Sequence, residues 1–103
     1  MTWQHGRLGS PADAPAQGET TRFVARLTGA TVEEIHSGAL EEATEYESGV
    51  DEWVVVLAGA ATLVVEGERL ALTAGSWVLL PAGTPHTLVE TEPGTHWLTV
   101  TGT

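Results

Sequence analysis

A chain of 103 residues has room for one domain with a modest core. Fourteen acidic residues against four arginines and no lysine give a formal net charge of −10, which repels phosphate backbones and anionic headgroups and argues against nucleic-acid and membrane partners. The absence of cysteine removes disulfides and thiolate chemistry, and the absence of lysine removes Schiff bases and lysine-bound pyridoxal phosphate.

The hydrophobic fraction of 42% and charged fraction of 17% are those of a folded globular chain. No apolar run approaches the roughly 18 residues of a membrane span, and the N-terminus lacks a charged-then-apolar leader, so a cytoplasmic setting is expected. No G-x-S-x-G elbow and no glycine loop leading into a lysine is present.

Residues 1–29 are expected to form an N-terminal arm. Its first part, MTWQHGRLGSPADAPAQGE, is rich in Gly, Pro and Ala and has no period. Trp3 is large enough to anchor it on a groove, and His5 reads as exposed. The stretch 20–29 reads two ways: Thr20, Phe23, Leu27 and Gly29 fit a capped short helix, whereas Phe23, Ala25 and Leu27 alternate with Arg22, Val24 and Arg26 as in a strand. The helical reading is preferred here.

From residue 30 to 103 the period is two. ATVEEIHSG (30–38) predicts a short strand, and ALEEATEYESGV (39–50) an acidic segment ending in a Ser48-Gly49 turn. EWVVVLAG (52–59) has the β-branched and aromatic density of a strand buried on both faces. AATLVVEG and ERLALTAG predict a hairpin turning at Glu66-Gly67. SWVLLPAG is a further strand that Pro81 ends, TPHTLVETEPG a strand broken at Pro93-Gly94, and THWLTVTGT the last strand. Seven or more short strands at this spacing predict an all-β antiparallel sandwich or barrel.

Two spacings narrow the choice. Glu52 is followed by six residues and Gly59; Gly75 is followed by five residues and Pro81, then Gly83, then His86. These resemble the E(x)6G end of the first cupin motif and the G(x)5PxG(x)2H of the second. The paired histidines of the first motif are absent. The resemblance implies a cupin jelly roll, a double-stranded β-helix barrel, over residues 30–103, with Gly75, Pro81 and Gly83 as backbone devices.

It also implies that Glu52 and His86 enter one cavity as candidate catalytic or binding groups. Strand alternation would add Val54, Val56, Leu88 and Glu90 to the lining, and Tyr46 is expected at its mouth. In metal-binding cupins three histidines and a glutamate hold the ion. Here the longer motif spacing puts Glu45 and Glu47 at the histidine positions, so that Glu45, Glu47, Glu52 and His86 would form an oxygen-rich site for one divalent ion, with Mn or Fe favoured over Zn or Ni. The shorter spacing puts Tyr46 and Ser48 there instead. The competing reading leaves the acids in water and only Glu52 and His86 inside as a hydrogen-bonded pair. His36 and His96 are two further imidazoles that no spacing requires. Trp53, Trp77 and Trp97 are expected in the core or a subunit interface.

The expected function is a cupin that binds a small molecule around Glu52 and His86. The alternatives are a metal-dependent dioxygenase, isomerase, lyase or cyclase, or a metal-free acid/base enzyme using the same pair. A homodimer is expected, through the arm or the apolar alternate face of 53–57.

Overall fold

The computed structural model describes residues 3–102. Nine antiparallel strands run in chain order: β1 Glu19–Leu27, β2 Ala30–Ser37, β3 Thr44–Tyr46, β4 Glu52–Ala58, β5 Ala60–Val65, β6 Glu68–Thr73, β7 Trp77–Leu80, β8 His86–Thr91 and β9 Thr95–Gly102. They form a five-stranded sheet in the order β1-β2-β9-β4-β7 and a four-stranded sheet in the order β3-β8-β5-β6. This is the jelly roll that the alternation and the two motifs predict. Among the described residues no helix is long and apolar enough to cross a membrane.

The short turns follow from their residues. Glu66 and Gly67 both take positive φ, 51° and 79°, the mirror-image turn whose twist matches the two strands it joins, and β5 pairs with β6 without a register break. Gly59 is fixed twice over. Its φ is +89°, and a Cβ there would lie 2.5 Å from Thr95 Oγ1. The close approach lets Thr95 hold the start of β5, accepting from the Ala60 amide at 3.2 Å.

One face of each sheet points inward. Along β4, Val54 and Val56 are buried and join Ala61, Leu63, Leu72, Leu88 and Trp97 in the core. The other face of β4 is not enclosed as expected: Trp53 and Val55 are half-buried and Leu57 is exposed. Cross-strand pairing places Trp53 beside Leu79 and Val55 beside Trp77, so that these side chains share the outer face of the large sheet.

The helix expected over 20–29 is a strand. β1 pairs with β2 from Glu19↔Ser37 to Leu27↔Ala30, with a bulge between Phe23 and Ala25. The i,i+4 spacing of Phe23 and Leu27 had supported a helix, but both are exposed, and the ladder with β2 decides the conformation. Residues 3–18 precede the first strand and meet the rest of the fold at an isolated bridge, Gln17 to Ala39. A single 3-10 turn, Pro11–Asp13, is closed by reciprocal hydrogen bonds between Ser10 and Asp13. Trp3, expected as an anchor, is 80% exposed and leans on His5 at 5.4 Å between ring centroids.

Candidate functional site

The two sheets enclose a cavity of about 210 Å³. Its apolar wall comes from Ile35, Val54, Leu63, Leu80, Leu88 and Trp97, and its polar groups are Glu19, Tyr46, Glu47, Ser48, Glu52, His86 and Thr99. None of the four arginines lines it.

Glu52 opens β4 and turns inward with Val54 because alternate residues share a face. His86 opens β8 after a tight loop. In that loop Gly83 takes φ +80° and its amide donates to Ser48 O at 2.8 Å, while the Ala82 amide donates to Asp51 Oδ1 at 2.9 Å. The segment before β4 therefore holds the segment before β8, and the two chemical groups arrive together. His86 Nε2 lies 3.7 Å from Glu52 Oε1. His86 Nδ1 lies 3.1 Å from Thr84 O, and a carbonyl can only accept, so Nδ1 carries a proton and Nε2 is the atom presented to the cavity. At 3.7 Å the imidazole and carboxylate are just too far apart for a direct hydrogen bond, a gap that one bridging oxygen can close.

Tyr46 caps this pair. Its ring stacks on His86 at 5.9 Å and 22°, and its hydroxyl donates to Glu19 Oε1 at 2.9 Å. The other oxygen of Glu19 accepts from Ser37 Oγ, which in turn accepts from Trp97 Nε1 at 3.0 Å. Burial, reinforced by the hydrogen bond and negative charge of Glu19, pushes the Tyr46 phenol up to about 12. Glu19 was missed in the sequence because it belonged to the expected arm; only the β1–β2 register brings it over the cavity.

The remaining expected site residues are placed as follows. Val54 and Leu88 line the cavity, whereas Val56 is fully buried in the core and does not. Glu90 is exposed on the outside. Thr62 pairs with Glu90 but Leu63 pairs with Leu88, so a bulge at Val89 shifts the alternation and turns Glu90 away. Glu45 is exposed, on the face of β3 opposite Tyr46, and Glu47, beyond the end of β3, reaches the rim. The Glu45/Glu47/Glu52/His86 set is therefore not gathered around one point.

A different set is. Among the described residues the single group of three imidazole or carboxylate donors lying within 4.8 Å of one another is Glu34, His36 and His96. All three are buried. They sit on the outer face of the large sheet, where Glu34 pairs across to Leu98 and His36 to His96, in the rows that continue to Val55 and Ala58. The imidazoles stack at 4.3 Å and 11°. Glu34 Oε1 lies 3.0 Å from His96 Nε2 and accepts from the Gly9 amide at 3.0 Å; Oε2 accepts from Arg22 Nε at 2.9 Å and also contacts Arg22 Nη2. Burial raises the Glu34 carboxyl, but the hydrogen bonds from Arg22, Gly9 and His96 together with the Arg22 charge outweigh it and hold the group below its ordinary range.

A family model of the cupin domain matches residues 31–101. Among solved structures, a candidate mannose-6-phosphate isomerase from Ralstonia eutropha JMP134 is 31% identical, with 94% of this chain and 98% of that chain covered and a TM-score of 0.77. A protein of unknown function from Rhizobium leguminosarum bv. viciae 3841 is 25% identical, with 96% and 98% covered and a TM-score of 0.72. A cupin superfamily protein from Desulfitobacterium hafniense DCB-2, 16% identical with 96% and 92% covered, shares the fold at a TM-score of 0.76. No curated protein matches the chain.

Proposed function

The chain belongs to the cupin family, and from that premise we propose that it binds a small hydroxyl-bearing molecule in its barrel cavity, between Glu52 and His86. The observation that carries this reading is the convergence of His86 Nε2 and Glu52 Oε1 at 3.7 Å across an otherwise largely apolar cavity. A ligand hydroxyl between them donates to the carboxylate and accepts from the imidazole when that is protonated, so one oxygen satisfies both groups.

Size and charge narrow the ligand class. A cavity of about 210 Å³ falls below the roughly 300–1,000 Å³ of drug-sized pockets, which favours a compact metabolite. Its polar rim carries the carboxylates Glu19, Glu47 and Glu52 and no arginine. That lining disfavours a phosphate and favours a neutral or cationic polyol-like ligand. The similar chain from Ralstonia eutropha is named for a phosphorylated sugar; the sugar part of such a molecule suits these walls better than the phosphate.

A divalent ion inside the cavity does not fit the donors. Glu52 and His86 approach each other there and Glu45 faces outward; among the described residues no third imidazole or carboxylate closes a set with them. No reaction step is therefore assigned to a metal at this position.

The test is ligand binding followed through the tryptophan fluorescence, which Trp97 in the cavity wall makes responsive. Neutral polyols, amino sugars and sugar phosphates are titrated into the protein with and without a chelator. Binding of an uncharged or cationic member that survives chelation and falls in both Glu52→Gln and His86→Ala supports the reading. Preference for the phosphorylated member, or indifference to both substitutions, refutes it.

We further propose that two copies associate through the outer face of the large sheet. Trp77 and Leu79 are 61% and 55% exposed on it, beside Trp53, Val55 and Leu57. A contiguous apolar face of this kind is uncommon on a lone soluble chain.

A further inference from the structure

We propose that Glu34, His36 and His96 form a second site, outside the barrel, that binds one divalent transition-metal ion of the zinc class and fastens the N-terminal segment to the sheet.

The donor set is right for such an ion. Two imidazoles and one carboxylate are borderline ligands that suit zinc, and three protein donors with one open position is a recurring zinc arrangement. The spacing fits as well. Zinc bonds of about 2.0–2.2 Å in a tetrahedron put neighbouring donors about 3.4 Å apart. Glu34 Oε1 stands 3.0 Å from His96 Nε2 and 3.5 Å from His36 Nε2. The cluster lacks thiols, so the softest ions lose their preferred ligand.

Two observations make the site more than a buried polar cluster. His36 Nε2 is buried and has no hydrogen-bond partner, a costly state for a ring nitrogen unless something else engages it. Gly9 packs directly against it: a Cβ there would sit 3.0 Å from His36 Nε2 and 2.7 Å from Asp13 Oδ2, so glycine at this position lets the N-terminal segment bring the Asp13 carboxylate close to the ring. An ion in that region meets the unpaired nitrogen on one side and a second carboxylate, from the N-terminal segment, on the other. The two rings now stack nearly parallel at 4.3 Å, so binding requires them to turn about the Cβ–Cγ bonds until both Nε2 atoms face the ion. The His36 ring borders a cleft that Arg7, Asp13 and Arg22 also line, and it would turn towards that side.

Charge supports occupancy too. Arg22 neutralises Glu34 from Oε2, leaving Oε1 for the ion and holding the carboxylate in one orientation, the outer-shell support that ligating carboxylates usually have. With Asp13 nearby, an ion of charge +2 would meet two carboxylates and one guanidinium. The ion would then tie residues 9–13 to β2 and β9, adding to the Gly9 amide contact to Glu34.

The experiment uses the full chain free of any affinity tag. Zinc is titrated calorimetrically and Co²⁺ is added in parallel, because a tetrahedral Co²⁺ centre is coloured. The expected result is one equivalent bound, a tetrahedral Co²⁺ spectrum and a raised Tm. His36→Leu is the main variant, since the unpaired Nε2 contributes no hydrogen bond whose loss would unfold the chain. It should weaken binding at least about tenfold, as should Gly9→Ala, whose methyl would collide with the His36 ring and Asp13, whereas His86→Ala should leave binding unchanged. Imidazole nitrogen resonances of the unsubstituted protein give a readout that needs no variant: Nε2 of His36 and His96 should shift on zinc addition while those of His86 stay. Absence of binding, wild-type affinity in His36→Leu, or loss in His86→Ala would overturn the proposal.

Discussion

Tyr46 and Glu19 are separated by 27 positions in the chain and by 2.9 Å in space, the phenol donating to the carboxylate across the mouth of the cavity. Burial and that neighbour push the phenol up to about 12 from an ordinary 10.0. The fold therefore keeps a proton that the unfolded chain releases between those values. Stability linked to this group is full below about pH 10 and is lost as pH rises towards about 12. Tyr46 is the chain's single tyrosine, so phenolate absorbance reports it alone. The titration should be centred near 12 in the native protein and move towards 10.0 in Glu19→Gln. A native midpoint at the ordinary value would refute the contact.

Leu88 joins the cavity wall to the core, being 4% exposed and paired with Leu63. Leu88→Ala should lower unfolding free energy by about 2–5 kcal/mol, measured by chemical denaturation, because the sheets can close only part of the void. The enlarged cavity should also accept a bulkier ligand than the native one. A loss under about 1 kcal/mol would mean that the wall collapses onto the gap.

How much of this was legible in the sequence depends on how far each feature reaches along the chain. The convergence of Glu52 and His86 was readable because two glycine-anchored spacings fix where β4 and β8 begin, and Gly83 takes the positive φ such a turn needs. Glu90 was misplaced because a bulge at Val89 is invisible to a period-two count: one extra residue reverses every later side chain. Glu19 and β1 were hidden because the ladder to β2, not local propensity, decides the conformation of 19–27. The outer cluster left a partial signal, since Glu34 and His36 alternate and must share a face. Its third member, His96, enters only through the β2–β9 register, which pairs residues 60 positions apart. No local pattern carries that distance.

The loop before His86 offers a way to disturb the site without touching it. Asp51 Oδ1 accepts from the Ala82 amide at 2.9 Å, and both residues are exposed. Asp51→Ala removes one charge-assisted bond at the surface and should cost about 0.5–1.5 kcal/mol of stability. Its larger effect should be on ligand affinity, because His86 Nε2 is aimed by this loop. If affinity and stability fell in the same proportion, Asp51 would be only a general support of the fold.

The outer face of the large sheet gives the last test. Trp77 and Leu79 lie on β7, an edge strand, and each is more than half exposed, so neither contributes much to the fold of one chain. Replacing both by serine should change the stability of a monomer by only about 0.5 kcal/mol per site. If two copies meet on this face, the same substitutions remove the largest apolar groups of the interface, where a stable contact of at least about 1,000 Å² is needed. Light scattering across a concentration series should then show a dimer for the native chain and a monomer for Trp77→Ser with Leu79→Ser. The native Tm should rise with concentration while that of the double variant stays flat, because only an associating chain gains stability by mass action. A native chain that stays monomeric at high concentration would leave the apolar face without a partner of its own kind.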